Sequence, residues 1–367
     1  MISLNNILKT GIARGASDIH LLNGKRPIFR INRDLVEMYD SDILEESDLI
    51  DAFEIFTKGN AGIIQTFNRD KRMDLNYELD NVRFRVNVSL SNGVFVFTLR
   101  IVKEVLPEFR NLGLPDIVRK LALLPQGLIL ITGKSNSGKT TTLNALVNEI
   151  NKTENKKILM LEDPIEYSHK SIKSLIVQKE VGEGRDCLTF SDGTINSLRE
   201  DCDILIVGEV RDRKTMDAIL EMAESGYLVI GTMHTRSCAE TIDRIINFYD
   251  LSEQRTIKQM MASVLKAVVT QRLLKGMNNN LVMTPEIMIV DDIIGGHIRK
   301  EKLSKAEIDD AILTGQTKGS LSLIFSLANL VATNKISLEV AKSQLDEKSH
   351  EHLTNTIYRM KNNMSAR

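Results

Sequence analysis

A phosphate-binding loop lies near the middle of the chain. A strand-like apolar run over residues 128–132 leads into a Gly-x-x-x-x-Gly-Lys-Thr segment, and a helical pattern follows. In such a loop, backbone N–H groups surround a phosphate, the lysine lies beside the β- and γ-phosphates, and the threonine hydroxyl can hold Mg²⁺. The sequence therefore predicts binding of ATP and Mg²⁺; the alternative is a strand–helix connection without a ligand. The predicted nucleotide-binding residues are Gly133, Ser135, Asn136, Ser137, Gly138, Lys139, Thr140 and Thr141, with Thr140 also a metal ligand.

Acidic residues and a histidine follow three further strand-like runs. Ligands of an open parallel sheet collect beyond the carboxyl ends of its strands. ATP hydrolysis needs a carboxylate that orients water, another on the Mg²⁺ side, and a group that senses the γ-phosphate. An isolated acid would be a solvated turn residue, Glu162 and Asp163 could cap or hinge the turn at Pro164, and His234 could be a packed or surface histidine. Because they occur together behind the loop, the residues predicted to be catalytic are Glu162, Asp163, Glu166, Glu209 and His234, with Glu209 also a metal ligand.

The strand-like segment 82–88 alternates between apolar and polar residues. Its apolar residues fall on one face, and Arg83, Arg85 and Asn87 fall on the other. Arg100, near the end of the next strand-like segment, could join this face across a hairpin. An arginine that reaches a γ-phosphate stabilises the charge of the transition state. We therefore predict a catalytic role for Arg85 and Arg100; the alternative is that these arginines only solubilise a half-exposed sheet.

Two patterns divide the 367 residues. Short alternating segments between about 24 and 102 predict a small α+β domain. After about 116, apolar runs alternate with helical patterns, which is typical of an α/β fold with a buried parallel sheet. We expect an α+β domain over 1–103, a linker over 104–115 with a hinge around 104–113, an α/β P-loop core over 116–290 and a helical region over 291–367. The expected strands are 27–31, 75–79, 82–88, 94–102, 128–132, 158–161, 204–207, 228–232 and 285–290, and a helix is expected over 47–56.

The composition limits the class of protein. Lys and Arg number 48 against 49 Asp and Glu, so there is no global electrostatic attraction to nucleic acid or acidic lipid. The cysteines Cys187, Cys202 and Cys238 are too far apart for a Cys-x-x-Cys pair and form no disulfide framework. No stretch approaches 18 apolar residues, and the N-terminus lacks the pattern of a signal peptide. A cytoplasmic protein is expected.

Several segments together resemble the secretion and pilus ATPase family, and within it the ATPases of pilus retraction and twitching motility. The resemblance covers nearly the whole chain and extends well beyond the phosphate-binding loop. The matching segments are residues 16–21, 83–88, 133–140, 161–167, 198–201, 207–212 and 232–235.

This resemblance implies roles that the residues alone do not. It implies that Glu166 activates water, that Glu209 is the Walker B acid beside Mg²⁺, and that His234 senses the γ-phosphate, while Arg85 and Arg100 complete the site. It also implies a homohexamer of subunits in which an N-terminal PAS-like domain precedes a RecA-like ATPase domain. Such a ring works with the pilus machinery at an inner-membrane platform protein, on the cytoplasmic face of the membrane.

One segment departs from the family pattern. Retraction ATPases usually carry Ala-Ile-Arg-Asn-Leu-Ile-Arg-Glu where residues 293–300 read Ile-Ile-Gly-Gly-His-Ile-Arg-Lys. The leading hypothesis is a motor ATPase that powers type IV pilus retraction by pilin disassembly. The alternatives are an assembly, competence or type IV secretion ATPase of the same family, a nucleic-acid translocase, and a non-hydrolysing regulatory paralogue. A small-molecule kinase is less favoured, because no acceptor pocket or lid is evident, and no nucleic-acid partner is expected.

Overall fold

The computed structural model describes residues 3–31, 34–80, 82–102, 106–278 and 280–365. The chain divides into two compact units: residues 1–105 with 166–168, called the N-terminal unit, and residues 106–165 with 169–367, called the C-terminal unit. The first two residues of the predicted hinge, 104 and 105, lie outside the described residues.

The N-terminal unit is built on a six-stranded antiparallel sheet in the order β3-β2-β1-β6-β5-β4. Alternation along β5 buries Phe84, Val86 and Val88 completely, as predicted. Three helices cover this apolar face and complete its core. The elements are α1 (Leu4–Ala13), β1 (Asp18–Leu21), β2 (Ile28–Ile31), β3 (Asp34–Glu37), α2 (Glu46–Thr57), α3 (Ala61–Asp70), β4 (Arg72–Leu79), β5 (Val82–Ser91) and β6 (Val94–Ile101).

A tight hairpin sets the register of β5 and β6. Asn92 and Gly93 both have positive φ, 52° and 83°, as a two-residue turn of the favoured hairpin type requires. This turn pairs Arg85 directly with Arg100. The sheet also pairs Arg100 with Asp18 of β1, so a polar row crosses the face opposite the core.

The C-terminal unit contains a seven-stranded sheet in the order β13-β12-β7-β11-β10-β8-β9. All neighbours pair in parallel except β12 and β13, which are antiparallel. Residues 276–280 are too few for the crossover that a parallel pair needs, so the predicted parallel sheet ends in an antiparallel edge. The strands are β7 (Gly127–Thr132), β8 (Lys157–Glu162), β9 (Leu175–Glu180), β10 (Ile204–Val207), β11 (Leu228–Met233), β12 (Leu265–Lys275) and β13 (Leu281–Ile289).

Helices cover both faces of this sheet. On β7, Leu128 and Leu130 belong to one core, and Ile129 and Ile131 belong to the core on the other face. Burial on both faces explains the uninterrupted apolar runs. Among the described residues, no helix combines the length and apolar character needed to cross a bilayer. The helices are α4 (Asp116–Leu121), α5 (Lys139–Thr153), α6 (Phe190–Ser197), α7 (Arg213–Glu224), α8 (Cys238–Ile246), α9 (Leu251–Val264), α10 (Asp292–Arg299), α11 (Lys305–Thr314), α12 (Leu323–Ala332), α13 (Leu338–Lys342) and α14 (His350–Ser365).

The predicted strands and the predicted helix over 47–56 are confirmed, but four strands were not predicted: β1, β3, β9 and β12. Strand β12 is considered further because it pairs with β7, the strand that precedes the phosphate-binding loop. Helix α9 ends at Val264 and β12 begins at Leu265, so no glycine or proline marks the boundary between them.

Candidate nucleotide site

The loop between β7 and α5 has a backbone that only glycine can form at two positions. Gly133 has a φ of 150° and Gly138, the N-cap of α5, a φ of 90°. A Cβ on Gly133 would lie 2.4 Å from Oγ of Ser137 and 2.5 Å from the carbonyl oxygen of Gln271. The first-turn N–H groups of α5 have no partner inside the helix and form a positive end that suits an anion. The loop therefore fits a phosphate group.

Lys139 folds back over this loop. Its Nζ donates to the carbonyl oxygens of Gly133 and Lys134, both at 3.0 Å. The side chain is almost completely buried, and this burial lowers the pKa of its ammonium, while the charge of Glu209 opposes the shift. The loop thus holds one cation at its centre.

The other predicted loop residues differ in exposure. Ser135 and Asn136 are exposed at the tip of the loop, whereas Ser137 is buried. Thr140 and Thr141 lie half-buried in the first turn of α5. The hydroxyl of Thr140 is the one predicted to hold a metal ion bound to phosphate.

The carboxyl ends of four neighbouring strands meet at one edge of the sheet. Strand β7 is in register with β11, β11 with β10, and β10 with β8. Each chain segment that leaves this edge carries predicted site residues. They are Gly133 after β7, His234 after β11, Glu209 shortly after β10, and Glu162 and Asp163 at the end of β8.

His234 connects the loop to Glu209. Its Nδ1 lies 3.5 Å from Nζ of Lys139, and its Nε2 lies 3.6 Å from Oε1 of Glu209. Burial, and then the charge of Lys139, lower the pKa of His234, whereas Glu209 raises it. The imidazole is therefore neutral near pH 7, with Nδ1 facing a donor and Nε2 facing an acceptor. It is neither a packed core histidine nor an isolated surface residue.

The two acids after β8 have separate partners. Glu162 is buried, 3% exposed, and accepts a hydrogen bond of 2.8 Å from Nε2 of Gln178. Asp163 is exposed, and its Oδ2 accepts from Nη2 of Arg211 at 3.2 Å. The same Nη2 lies 3.9 Å from Oε2 of Glu209. Arg211, which was not predicted to be a site residue, thus links two predicted site acids; its place in the matching segment 207–212 was the available signal.

The remaining predicted residues belong to the N-terminal unit. Nε of Arg100 donates to Oδ1 of Asp18 at 3.1 Å, and Nη2 of Arg85 lies 3.5 Å from Oδ2 of Asp74. Both arginines line a cavity of about 170 Å³. Directly opposed like charges destabilise a sheet unless anions compensate them, and the two aspartates supply that compensation. Glu166 is exposed.

Gln271 of β12 supports the phosphate loop and was missed by sequence reasoning. The residue is fully buried, and its Nε2 donates to Oγ1 of Thr142 at 2.8 Å. The backbone carbonyl oxygen of Gln271 occupies the space that a side chain on Gly133 would need. Because β12 itself was not predicted, nothing in the sequence pointed to this contact.

The chain matches known proteins over most of its length. Residues 1–325 match a family model described as type II/IV secretion system protein. The chain is 36% identical over 344 residues to the type IV pilus retraction ATPase PilT of Pseudomonas aeruginosa, a match that covers 94% of this chain and 98% of that protein. It is 37% identical over 278 residues to a twitching motility protein of Neisseria gonorrhoeae, with 75% and 73% covered.

A solved structure shows the same likeness. The crystal structure of the pilus retraction motor PilT with bound ADP aligns with a TM-score of 0.86 at 34% identity, and the match covers 96% of this chain and all of that one. These findings confirm the predicted resemblance and the α/β class of the fold.

Proposed function

Because this chain belongs to the family of type II/IV secretion system proteins, we propose that it is an ATPase whose hydrolysis of ATP powers retraction of a type IV pilus. The observation that carries the proposal is the position of His234 between Lys139 and Glu209 at the edge of the parallel sheet. The likeness to PilT selects pilus retraction among the activities of the family.

The C-terminal unit offers the groups that would bind the nucleotide. Backbone N–H groups of the loop would surround the β-phosphate, and Lys139 would leave its two carbonyl partners for the β- and γ-phosphates. Thr140 and Glu209 would hold Mg²⁺, which when bound neutralises charge on the phosphates. His234 would then sense the γ-phosphate through its contacts with Lys139 and Glu209.

Among the acids Glu162, Asp163 and Glu166, we assign water activation to Glu166. Glu162 is buried and accepts a hydrogen bond from Gln178, and Asp163 accepts one from Arg211. Both acids therefore already have protein partners at the end of β8. Glu166 is exposed, so a water molecule can reach its carboxylate, as a general base requires.

The proposal extends to the assembly. The N-terminal unit is a PAS-like domain, and the C-terminal unit carries a RecA-like core. Arg85 and Arg100 complete a nucleotide site in a homohexameric ring, which works at the inner-membrane platform protein on the cytoplasmic face. The pairing of two arginines side by side on an exposed sheet face supports this role, because such a pair suits a multiply charged anion.

One titration tests both hydrolysis and the ring. The Mg²⁺-dependent ATPase rate is measured at fixed total protein while wild-type subunits are mixed with Glu166→Gln subunits under conditions that permit exchange. We expect the rate to fall more steeply than the wild-type fraction, because sites in a ring are coupled. A proportional fall would contradict coupling, and an inactive wild-type protein would favour a regulatory role or a missing activator.

A deletion strain tests the direction of movement. We expect an excess of surface pili and loss of twitching motility, because assembled pili are no longer withdrawn. Absent pili would instead indicate an assembly ATPase of the same family.

A separate measurement tests the nucleic-acid alternative. Stimulation of the ATPase rate by DNA, with a steep dependence on salt, would favour a nucleic-acid translocase.

A further inference from the structure

Two arginines outside the segment that carries His234 donate hydrogen bonds to the backbone of that segment. Residues 234–237, here called the sensor loop, join β11 to α8. Nη1 of Arg244 donates to the carbonyl oxygen of His234 at 2.8 Å, and Nη2 of Arg272 donates to that of Arg236 at 2.7 Å. Arg244 belongs to α8 itself, whereas Arg272 reaches the loop from β12.

A buried carboxylate fixes the end of the sensor loop. Oε2 of Glu286, on β13, accepts the backbone N–H of Cys238 at 2.8 Å. Cys238 is the first residue of α8, and a carboxylate at a helix N-terminus meets the positive end of the helix. Glu286 is 8% exposed and Cys238 is fully buried, so this bond is shielded from water.

Arg272 and Glu286 act from the same face of the antiparallel hairpin. The register pairs Thr270 with Glu286, and Arg272 follows Thr270 by two positions, so Arg272 and Glu286 are diagonal neighbours. Burial disfavours both charges, and each charge offsets part of the free-energy cost of burying the other. The carboxylate favours the charged guanidinium, and the guanidinium favours the charged carboxylate. Among the described residues, Nη1 of Arg272 is buried without a hydrogen-bond partner. A buried cation with an unsatisfied nitrogen costs free energy, and the nearby charge of Glu286 offsets part of that cost.

Strand β12 contacts both loops of the nucleotide site through consecutive residues. Gln271 packs its carbonyl oxygen against Gly133 and donates to Thr142, while Arg272 holds the sensor loop at Arg236. Neighbouring residues on a strand point to opposite faces. Adjacent positions of β12 therefore contact the phosphate-binding loop and the loop that carries the histidine.

We propose that Arg272 and Glu286 are positioning residues that hold the sensor loop so that the ring of His234 stays between Lys139 and Glu209. This inference rests on the proposed function, in which His234 senses the γ-phosphate. Both contacts of the ring are long, 3.5 and 3.6 Å, so a small displacement of the loop separates them. Misplacement by about 1 Å can cost on the order of 100-fold in rate.

The test compares Arg272→Gln in two backgrounds, wild type and His234→Ala. We expect kcat to fall about tenfold in the wild type and less than about twofold in the His234→Ala background, because Arg272 acts through the histidine. The Kd for ADP, which lacks the γ-phosphate, should stay within about twofold. Arg272→Lys, which keeps one donor for the carbonyl of Arg236, should recover part of the rate, and Glu286→Gln should lower kcat in the same background-dependent way.

The matched control is Arg255→Gln, which removes a guanidinium from an exposed position on α9 and should leave kcat unchanged. Equal losses of kcat in both backgrounds, or a loss of ADP binding that parallels the loss of kcat, would overturn the inference and show a general structural role. An unchanged kcat for Arg272→Gln would overturn it as well.

Hydrogen exchange separates this inference from the proposed function, because it needs no turnover. Amides of residues 234–238 should exchange faster in Arg272→Gln than in wild type or Arg255→Gln, while those of β10 should not. If the wild-type protein hydrolyses no ATP but the variant shows this faster exchange, the proposed function fails and the positioning contact stands. Unchanged exchange would overturn the positioning contact whatever the ATPase rate.

Discussion

Nε2 of His234 lies 3.6 Å from Oε1 of Glu209, although the two residues follow different strands of the sheet. On the other side of the ring, Nδ1 lies 3.5 Å from Nζ of Lys139. The imidazole therefore lies between the cation of the phosphate-binding loop, which follows β7, and a carboxylate that follows β10. A change in the charge of either partner should therefore shift the pKa of the ring.

The titration of His234 tests this arrangement. We expect its pKa to lie below 6.5, because burial and Lys139 disfavour the protonated ring. Glu209→Gln removes the carboxylate that favours protonation, so the pKa should fall further. Arg211→Gln removes a cation that disfavours protonation, so the pKa should rise. NMR of the ring resonances against pH measures both shifts, and a pKa that neither variant moves would contradict the arrangement.

Substitution of the arginines on the N-terminal sheet should affect chemistry more than binding. For Arg100→Ala we expect kcat to fall by about 10³ or more, because an arginine at the γ-phosphate stabilises charge that develops in the transition state. The Kd for ADP should change little, and Arg85→Ala should behave alike. Arg72→Ala, an exposed position on the same sheet, is the control. Equal losses of rate and of ADP affinity would speak against a transition-state role.

Two glycine substitutions should have opposite effects on stability. In Gly133→Ala the new Cβ would meet a backbone oxygen at 2.5 Å, so we expect a lower thermal midpoint and loss of ADP binding. In Gly296→Ala the Cβ on α10 meets nothing within 4 Å, so stability should rise by about 0.5–1 kcal/mol. Calorimetry with and without ADP measures both. Wild-type ADP affinity in Gly133→Ala would refute the close-packed loop.

A half-buried histidine should make the protein less stable in acid. Nε2 of His169 donates to Oδ1 of Asn144 at 2.6 Å, and burial lowers the pKa of His169 to about 4. Below pH 6.5 the unfolded chain binds a proton that the folded chain does not, so stability is lost as pH falls from 6.5 towards 4, by at most about 3 kcal/mol.

His169→Gln keeps a donor for Asn144 but takes up no proton. We therefore expect the thermal midpoint of this variant to fall less between pH 7 and pH 5 than that of the wild type. His352→Gln, at an exposed position on α14, should follow the wild type. If His169→Gln and wild type show the same loss, His169 is protonated in the folded protein.

Much of the site could be predicted because its signals are local. The phosphate-binding loop, its flanking strand and the helix after it lie within consecutive residues. The four apolar runs that precede Gly133, Glu162, Glu209 and His234 report burial on both sheet faces. Alternation in β5 was enough to place Arg85 on the face opposite Phe84. Register and side-chain partners could not be predicted, and neither Asp18 nor Arg211 was recognised as a partner of the site residues.

The sequence by itself thus determined the phosphate-binding loop, the strands that precede the acids and the histidine, and the family resemblance, because each depends on neighbouring residues. Only the tertiary structure decided which distant side chains meet. Lys139 and His234 are 95 positions apart, Arg272 and Arg236 are 36 apart, and Glu286 and Cys238 are 48 apart. Such contacts depend on strand order and register, which arise from the packing of whole helices and strands, and no local pattern records them.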